Sequence, residues 1–316
     1  MQQITDFSQS VDNNKIIVNS EKSVLKNSHV VFNGSNNILV VDDGVEIVNS
    51  TIKINGDNSV CYIRPQKTPL YADFTVNGGC CVFIGKNTYT NGKLYLIASE
   101  RQNILIGDDG LFSFGIWIRT ADPHLLYDCE SKKRINPSMS VLIGDHVWVG
   151  QNALILKGTH IGSGSIIGAA SVVSHKTVGS NCAAVGNPAK VIKSGVFFTK
   201  DCVHNWSKEK TDNSQVNNTD KWTYKKDKTT KDLTKIDEKI KSFHTADEKL
   251  EEVKKFFVDN KDKNRFLLLS QKIPTQKAQS TSIIFSDFKK LILQQKTPDS
   301  RDDCPVLNYS GGIIYL

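Results

Sequence analysis

An unbroken six-residue repeat from Ile143 to Thr177 constrains this chain more than any other feature. Its first positions are Ile143, Val149, Ile155, Ile161, Ile167 and Val173. Its second are Gly144, Gly150, Leu156, Gly162, Gly168 and Ser174, and its fifth are Val147, Ala153, Thr159, Ser165, Ser171 and Thr177. An aliphatic residue every sixth place, then a small one, matches neither the 3.6 period of an α-helix nor the alternation of a hairpin ladder. It predicts a parallel β-helix, in which each hexad is one short strand plus one corner. The aliphatic residue points into the prism, and the next is small because the chain bends there.

The 316 residues, 39% of them hydrophobic, suffice for one large core or two modest domains. Lys and Arg number 40 against 33 Asp and Glu, a net charge of +7, which suits an anionic ligand or a membrane surface. No aromatic-plus-basic RNA-binding pattern accompanies it, so no nucleic-acid partner is expected. No apolar run approaches the ~20 residues of a spanning helix, and the opening MQQITDFSQS lacks the apolar segment of a signal peptide, so a cytoplasmic protein is expected. The cysteines, 7 in all, are odd in number and form no C-x-x-C pair, which predicts reduced, mostly buried thiols rather than a disulfide framework or zinc site.

Upstream of the hexads, residues 15–106 read as short β-rich segments between Asn, Asp and Gly turns, such as His29–Phe32, Ile38–Val41, Thr51–Ile54 and Val60–Ile63. Their spacing slips around six, which predicts irregular early coils of the same solenoid. Between Ile118 and Ile143 the register breaks for an insertion holding Thr120–His124, Tyr127-Asp128 and Lys132-Lys133-Arg134. A loop thrown out of a rigid scaffold is a usual place for function. The hexads end near Gly186-Asn187-Pro188. The expected division is an N-terminal segment 1–14, a β-helix domain 15–200 with its insertion at about 119–142, a polar and mobile linker 201–232, and a helical extension 233–316 without an assigned role. In that extension Leu233, Ile236, Ile240 and Phe243 follow helical spacing, Thr245-Ala-Asp-Glu248 fits a capping box, and a further helix is expected at 286–295.

The hexads, the histidine-bearing insertion and the terminal Gly186-Asn-Pro-Ala-Lys190-Val-Ile-Lys193 resemble the left-handed hexapeptide-repeat acyltransferases over roughly residues 104–193. The segment Phe112-Ser-x-Gly-Ile-Trp-Ile-Arg119-Thr-x-Asp122-x-His124-x-x-Tyr-Asp128, with Ile143-Gly-Asp-His-Val-Trp148-Val-Gly150, is similar to the bacterial sialic acid and polysialic acid O-acetyltransferases within that family. The left hand comes from the resemblance, since general topology rules favour right-handed crossovers. The resemblance implies a mainly β, left-handed parallel β-helix with an α-rich C-terminal extension. It also implies transfer of an acetyl group from acetyl-CoA to a hydroxyl of sialic acid on a bacterial surface glycan.

Such a transfer needs a base, because an alcohol is a poor nucleophile while it holds its proton. Imidazole can take that proton near neutral pH, which nominates His124. Asp122 and Asp128 are alternative residues to orient it, and either could equally be a turn-former. The resemblance places Trp148 beside the catalytic histidine, with its backbone N–H on the oxyanion and its ring on the ligand. It also places the acetyl-CoA arm along the final coils, between neighbouring subunits, which nominates Gly150, Gly168, Ala169, Ala170 and Ser174 for the pantetheine. Lys176, Lys190 and Lys193 are nominated for the phosphates. Arg119, with Asp122 and Trp148, is the expected acceptor contact, its guanidinium suiting a carboxylate. The implied partners are a sialylated glycan, two further copies in a homotrimer, and peripheral contact with the inner membrane.

Three other readings stay open at this level. One gives the acceptor hydroxyl to another sugar. The chain could be a non-enzymatic solenoid scaffold, although such a scaffold has no need of the histidine insertion. A zinc hydratase of the same fold would need three of His124, His146, His160 and His175 to converge, yet His146 and His160 occupy different hexad positions, so no metal is expected.

Overall fold

The computed structural model describes residues 1–269, and its body is the parallel β-helix that the hexads predict. The expected helix at 286–295 lies outside the described residues. Three strands and three corners make a coil, and coils stack strand upon strand into two sheets of 8 strands and one of 6. The first sheet includes Leu94–Ala98, Ile116–Arg119, Leu154–Ile155 and Val172–Val173. The second includes Ile104–Ile106, Val141–Ile143, His160–Ile161 and Thr177–Val178, and the third includes Leu111–Phe112, Trp148–Val149 and Ile166–Ile167. The first hexad positions stack in columns: Ile106, Ile143, Ile161 and Val178 in one, Phe112, Val149 and Ile167 in another. All of them are buried.

Each hexad position has its own physical reason. The second is small, except at Leu156, because coils touch there: a Cβ on Gly144 would lie 2.7 Å from the Ser163 nitrogen, and one on Gly150 2.6 Å from that of Ala169. The fourth is a left-handed corner, occupied by His146, Asn152, Gly158, Gly164 and Ala170. The fifth faces the interior from Val147 to Ser171, and its hydroxyls are spent on the corners: Thr159 donates to the Val173 carbonyl at 3.0 Å and Ser165 to that of Gly179 at 2.7 Å. The repeat expected to run to Thr177 slips by one residue in the last coil, where Thr177 is exposed and Val178 takes the inward column.

The early coils are regular, which corrects the expectation of irregular ones. Their period is longer. Corner contacts recur at a separation of 22 residues in this region, as in Ser59 to Asn37 and Cys81 to Asn103. In the hexad region Asp145 meets Ser163 at a separation of 18. The longer coils carry strands of four and five residues, such as Ile38–Val41 and Thr51–Asn55, so a search at period six sees them as slips. The N-terminal segment also belongs to the solenoid: Gln2–Ile4 pairs antiparallel with His29–Asn33. At the other end, Ala189–Ser194 folds back antiparallel on Cys182–Gly186.

Past the solenoid the described residues form three α-helices: α1 (Lys208–Asn213), α2 (Leu233–Ser242) and α3 (Ala246–Val253), the last continued by a wider π turn at Lys254–Asp259. The capping box of Thr245 and Glu248 opens α3 as the sequence predicts. The apolar faces of α2 and α3, with Phe257 and Phe266, cover Ile38, Val40, Val60, Tyr62, Phe83, Leu105 and Leu142 on the outside of the second sheet. Burying these faces together explains why the second sheet is apolar on both sides.

The expected mobile linker is instead partly seated along the corner between the second and third sheets. His146 is sandwiched between Phe198 and Trp222, with ring centroids at 4.1 and 3.6 Å. Asn181 binds the Val196 and Trp222 carbonyls and accepts the Tyr224 N–H at 2.8 Å. The aromatic residues that interrupt this polar stretch are its anchors. Among the described residues no helix is long and apolar enough to cross a membrane.

Candidate active site

The insertion leaves Ile116–Arg119 on the first sheet and returns at Val141–Ile143 on the second, so it projects from the corner between them. Its neck is closed by the Met139 N–H to the Thr120 carbonyl at 2.9 Å. Its outer part is a hairpin, with Ile135 N–H to the Leu126 carbonyl at 2.9 Å and Asp128 N–H to the Lys133 carbonyl at 2.9 Å. His124 is exposed on this loop, and its imidazole has no hydrogen-bond partner among the described residues.

Neither candidate aspartate touches that ring. Asp128 accepts the backbone N–H groups of Glu130 and Ser131 and the Ser131 hydroxyl, which hold its carboxyl below the usual range and make it a turn-former. Asp122 is paired with the buried ammonium of Lys157 at 2.5 Å and takes an amide hydrogen of Asn136 at 3.1 Å. Its carboxyl is also held low, chiefly by the Lys157 contact. An acceptor contact through Asp122 would have to compete with that ammonium.

The loop is fastened to the coils on either side of it. Lys157 belongs to the coil after the insertion. From the coil before it, Glu100 takes both arms of the Arg134 guanidinium at 2.8 Å and the Ser138 hydroxyl. The Arg134 fork, followed by Ser138, brings the Glu100 carboxyl down to about 2. The basic run thus ends in an ordered latch.

Three donor-site candidates meet in one cleft. A cavity of about 310 Å³ is lined by Val172, Ser174, His175, Lys176, Thr177, Pro188, Ala189 and Lys190. His175, whose Nδ1 lies 3.0 Å from the Ser174 hydroxyl, reaches the root of the histidine loop: a Cβ on Gly158 would lie 3.1 Å from Met139 Sδ and 3.3 Å from His175 Cδ2. Gly150, Gly168, Ala169 and Ala170 lie elsewhere, at the corner between the third and first sheets, and are not among the cleft's lining residues. Gly150 and Gly168 have a packing reason to be glycine, since a Cβ on Gly168 would come within 2.5 Å of Val185, and Ala170 holds a left-handed corner at φ 54°. Lys193 is exposed on the last strand.

Arg119 places its guanidinium 4.7 Å from the centroid of Trp117, which stacks on Tyr95 at 4.3 Å. It has no carboxylate partner among the described residues. Trp148 differs from its expected role. Its backbone N–H donates to the Ser165 carbonyl at 2.9 Å as part of the sheet ladder, so that N–H is committed and cannot also serve an oxyanion. It also belongs to the third sheet, while His124 projects from the opposite corner of the same prism. A tryptophan inside a strand necessarily gives its N–H to the neighbouring coil, which motif matching does not register.

Sequence reasoning missed Lys157 and Asn136, and treated His175 only as a potential metal ligand. The one signal for Lys157 was a lysine at the third position of a hexad, and nothing in the sequence joins it to Asp122, 35 residues away.

A family model described as bacterial transferase hexapeptide (six repeats) matches residues 140–175. The polysialic acid O-acetyltransferase of Escherichia coli O1:K1 / APEC is 39% identical over 140 residues, 44% of this chain and 45% of the relative, so the match spans less than half of that protein's length. That of Neisseria meningitidis is 31% identical over 199 residues, 63% of this chain and 91% of the relative. The crystal structure of the polySia specific acetyltransferase NeuO superposes with a TM-score of 0.56 at 33% identity, covering 64% of this chain and 93% of that one.

Proposed function

Because this chain belongs to the hexapeptide-repeat acyltransferases, in the group that includes the polysialic acid O-acetyltransferases, and has their left-handed β-helix, we propose that it transfers an acetyl group from acetyl-CoA to a hydroxyl of a sialylated glycan. The observation that carries the reading is the pairing of a free imidazole with a cationic cleft. His124 is held out on a doubly fastened loop, and the cleft at that loop's root presents Ser174, Lys176 and Lys190.

In this reading the His124 ring removes the proton from the acceptor hydroxyl as its oxygen attacks the thioester carbonyl. The C–O bond forms, the tetrahedral intermediate collapses, and the C–S bond breaks. The thiolate of coenzyme A takes up the proton from the imidazolium. The lysines hold the nucleotide phosphates as point charges, and Lys176 and Lys190 have no salt-bridge partner among the described residues. Arg119, oriented by the Trp117 ring, receives the acceptor carboxylate.

The same reading calls for a second copy at each site. Leu125, Leu126, Tyr127, Ile135 and Met139 stand exposed on the histidine loop, an apolar crown that a neighbouring prism would cover. Trp148 and the His124 loop lie on different sides of one prism, so a Trp148 contact to the site would have to come from a neighbouring copy. The test is thiol release from acetyl-CoA with free sialic acid, oligosialic acid and a terminally sialylated oligosaccharide, with analysis of the product. Acetylated sialic acid supports the reading, and hydrolysis of acetyl-CoA without acceptor dependence removes it.

A further inference from the structure

We infer that Asn136 is the positioning residue of the reaction, holding the His124 carbonyl and the backbone just after it while gripping the Asp122 side chain just before it; this rests on His124 being the base. It is buried, at 5% exposure, and is the one buried residue between 121 and 139. One amide hydrogen goes to the His124 carbonyl at 2.8 Å and the other to the Asp122 carboxylate at 3.1 Å. The amide oxygen accepts the Leu126 N–H at 2.9 Å and faces the Arg134 guanidinium at 3.4 Å. Every donor and acceptor of the carboxamide is therefore engaged, and two of the contacts are to the consecutive peptide groups that follow the histidine.

The contacts go further than the loop. Asp122 is tied to Lys157 in the following coil, and Arg134 to Glu100 in the preceding one. Asn136 is where these two tethers meet. Its carboxamide transmits the spacing of two rigid coils to one peptide segment, and the imidazole takes its place from that spacing without using either ring nitrogen. Both nitrogens remain available for chemistry. Aspartate, which could hydrogen-bond to the ring, would tie one up. An asparagine gripping the backbone does not. No shorter side chain spans both peptide groups, and no carboxylate at this position could donate to either the His124 carbonyl or Asp122.

That last property supplies a test that a simple packing role would not pass. Asn136→Asp keeps the shape. As an anion it cannot donate to the His124 carbonyl and repels Asp122; as a neutral acid it can donate once and still accept from Leu126. Turnover of Asn136→Asp relative to the unaltered protein should therefore be low at neutral pH, by about tenfold to a hundredfold, in line with the cost of misplacing a reacting group by about an ångström. The ratio should climb as pH falls, while the Michaelis constant for acetyl-CoA stays the same. Asn136→Ala should show the same loss with no recovery at low pH. A ratio that is flat with pH, near-native turnover of either variant, or failure of both variants to fold would each overturn the inference. His124→Ala, measured alongside, separates this from the parent reading: if it stays active, His124 is not the base, whatever Asn136 does.

Discussion

Arg265→Met is the most demanding test of how the C-terminal extension is held. Arg265 is 3% exposed and reaches Asp145 with two arms, at 2.9 and 2.8 Å, and Asp108 at 3.0 Å. Its remaining nitrogen donates to the carbonyls of Phe257, at 3.1 Å, and Asn260. Asp145 also accepts the Asp108 N–H at 2.7 Å, and burial pushes its carboxyl above the usual range even with the guanidinium in place. Methionine keeps the stem and removes the charge, leaving a buried carboxylate without its partner. Breaking a buried pair from one side costs about 3–5 kcal/mol, a shift of roughly a hundredfold to a few thousandfold in the opening equilibrium. The loss should fall on the extension rather than on the hexad coils. Hydrogen exchange should therefore accelerate in α2 and α3 while the strands of residues 141–178 keep their protection. The pH sign follows from Asp145. A carboxyl raised in the folded state binds a proton that the unfolded chain releases, so its penalty is present at neutral pH and fades as pH falls through its folded value. The defect should thus shrink on acidification. A loss below about 1 kcal/mol, or one unchanged between about pH 8 and pH 5, would refute the argument that this is an uncompensated buried charge.

Three further outcomes concern the site. The mass in solution should be that of a trimer, and a fully active monomer would contradict the shared site. His124→Ala should lose on the order of a hundredfold or more in turnover with acetyl-CoA affinity little changed, read from steady-state kinetics. Lys190→Ala and Lys193→Ala should raise the Michaelis constant for acetyl-CoA about tenfold to a hundredfold and leave the acceptor's nearly intact, and Arg119→Ala should do the reverse. Equal effects on both substrates would point to misfolding.

Much of this architecture was legible because a hexad writes its geometry into single residues. Ile155, Gly162 and Ser165 each have one place in the coil and one reason to be there. The early coils were harder, since a turn of 22 residues with Asn at its corners has no fixed aliphatic beat. Both helices of the extension were announced by spacing and by the Thr245 cap. The seated linker was not, because Trp222 docks through a stacking contact with His146, 76 positions earlier, that no local pattern encodes. The site divides the same way. His124, Ser174, Lys176 and Lys190 follow from motif and order. The ties of Lys157 to Asp122 and of Arg134 to Glu100 arise only when coils stack, and the ladder that consumes the Trp148 N–H is a property of the neighbouring strand.

The two reversed strands at the ends have a consequence for the molecule in a crowded cell. A parallel prism cut at any coil would offer the next chain a ready template, and such edges invite end-to-end growth into fibres. Here the N-terminal edge of the first sheet is closed by Gln2–Ile4 running the wrong way, and the far edge of the third by Ala189–Ser194, which carries Lys190 and Lys193. The far edges of the other two sheets are strands of 2 residues, too short to template a partner. Association is thereby steered to the sides of the prism. At each of these guarded edges an added coil would find no long parallel strand to pair with.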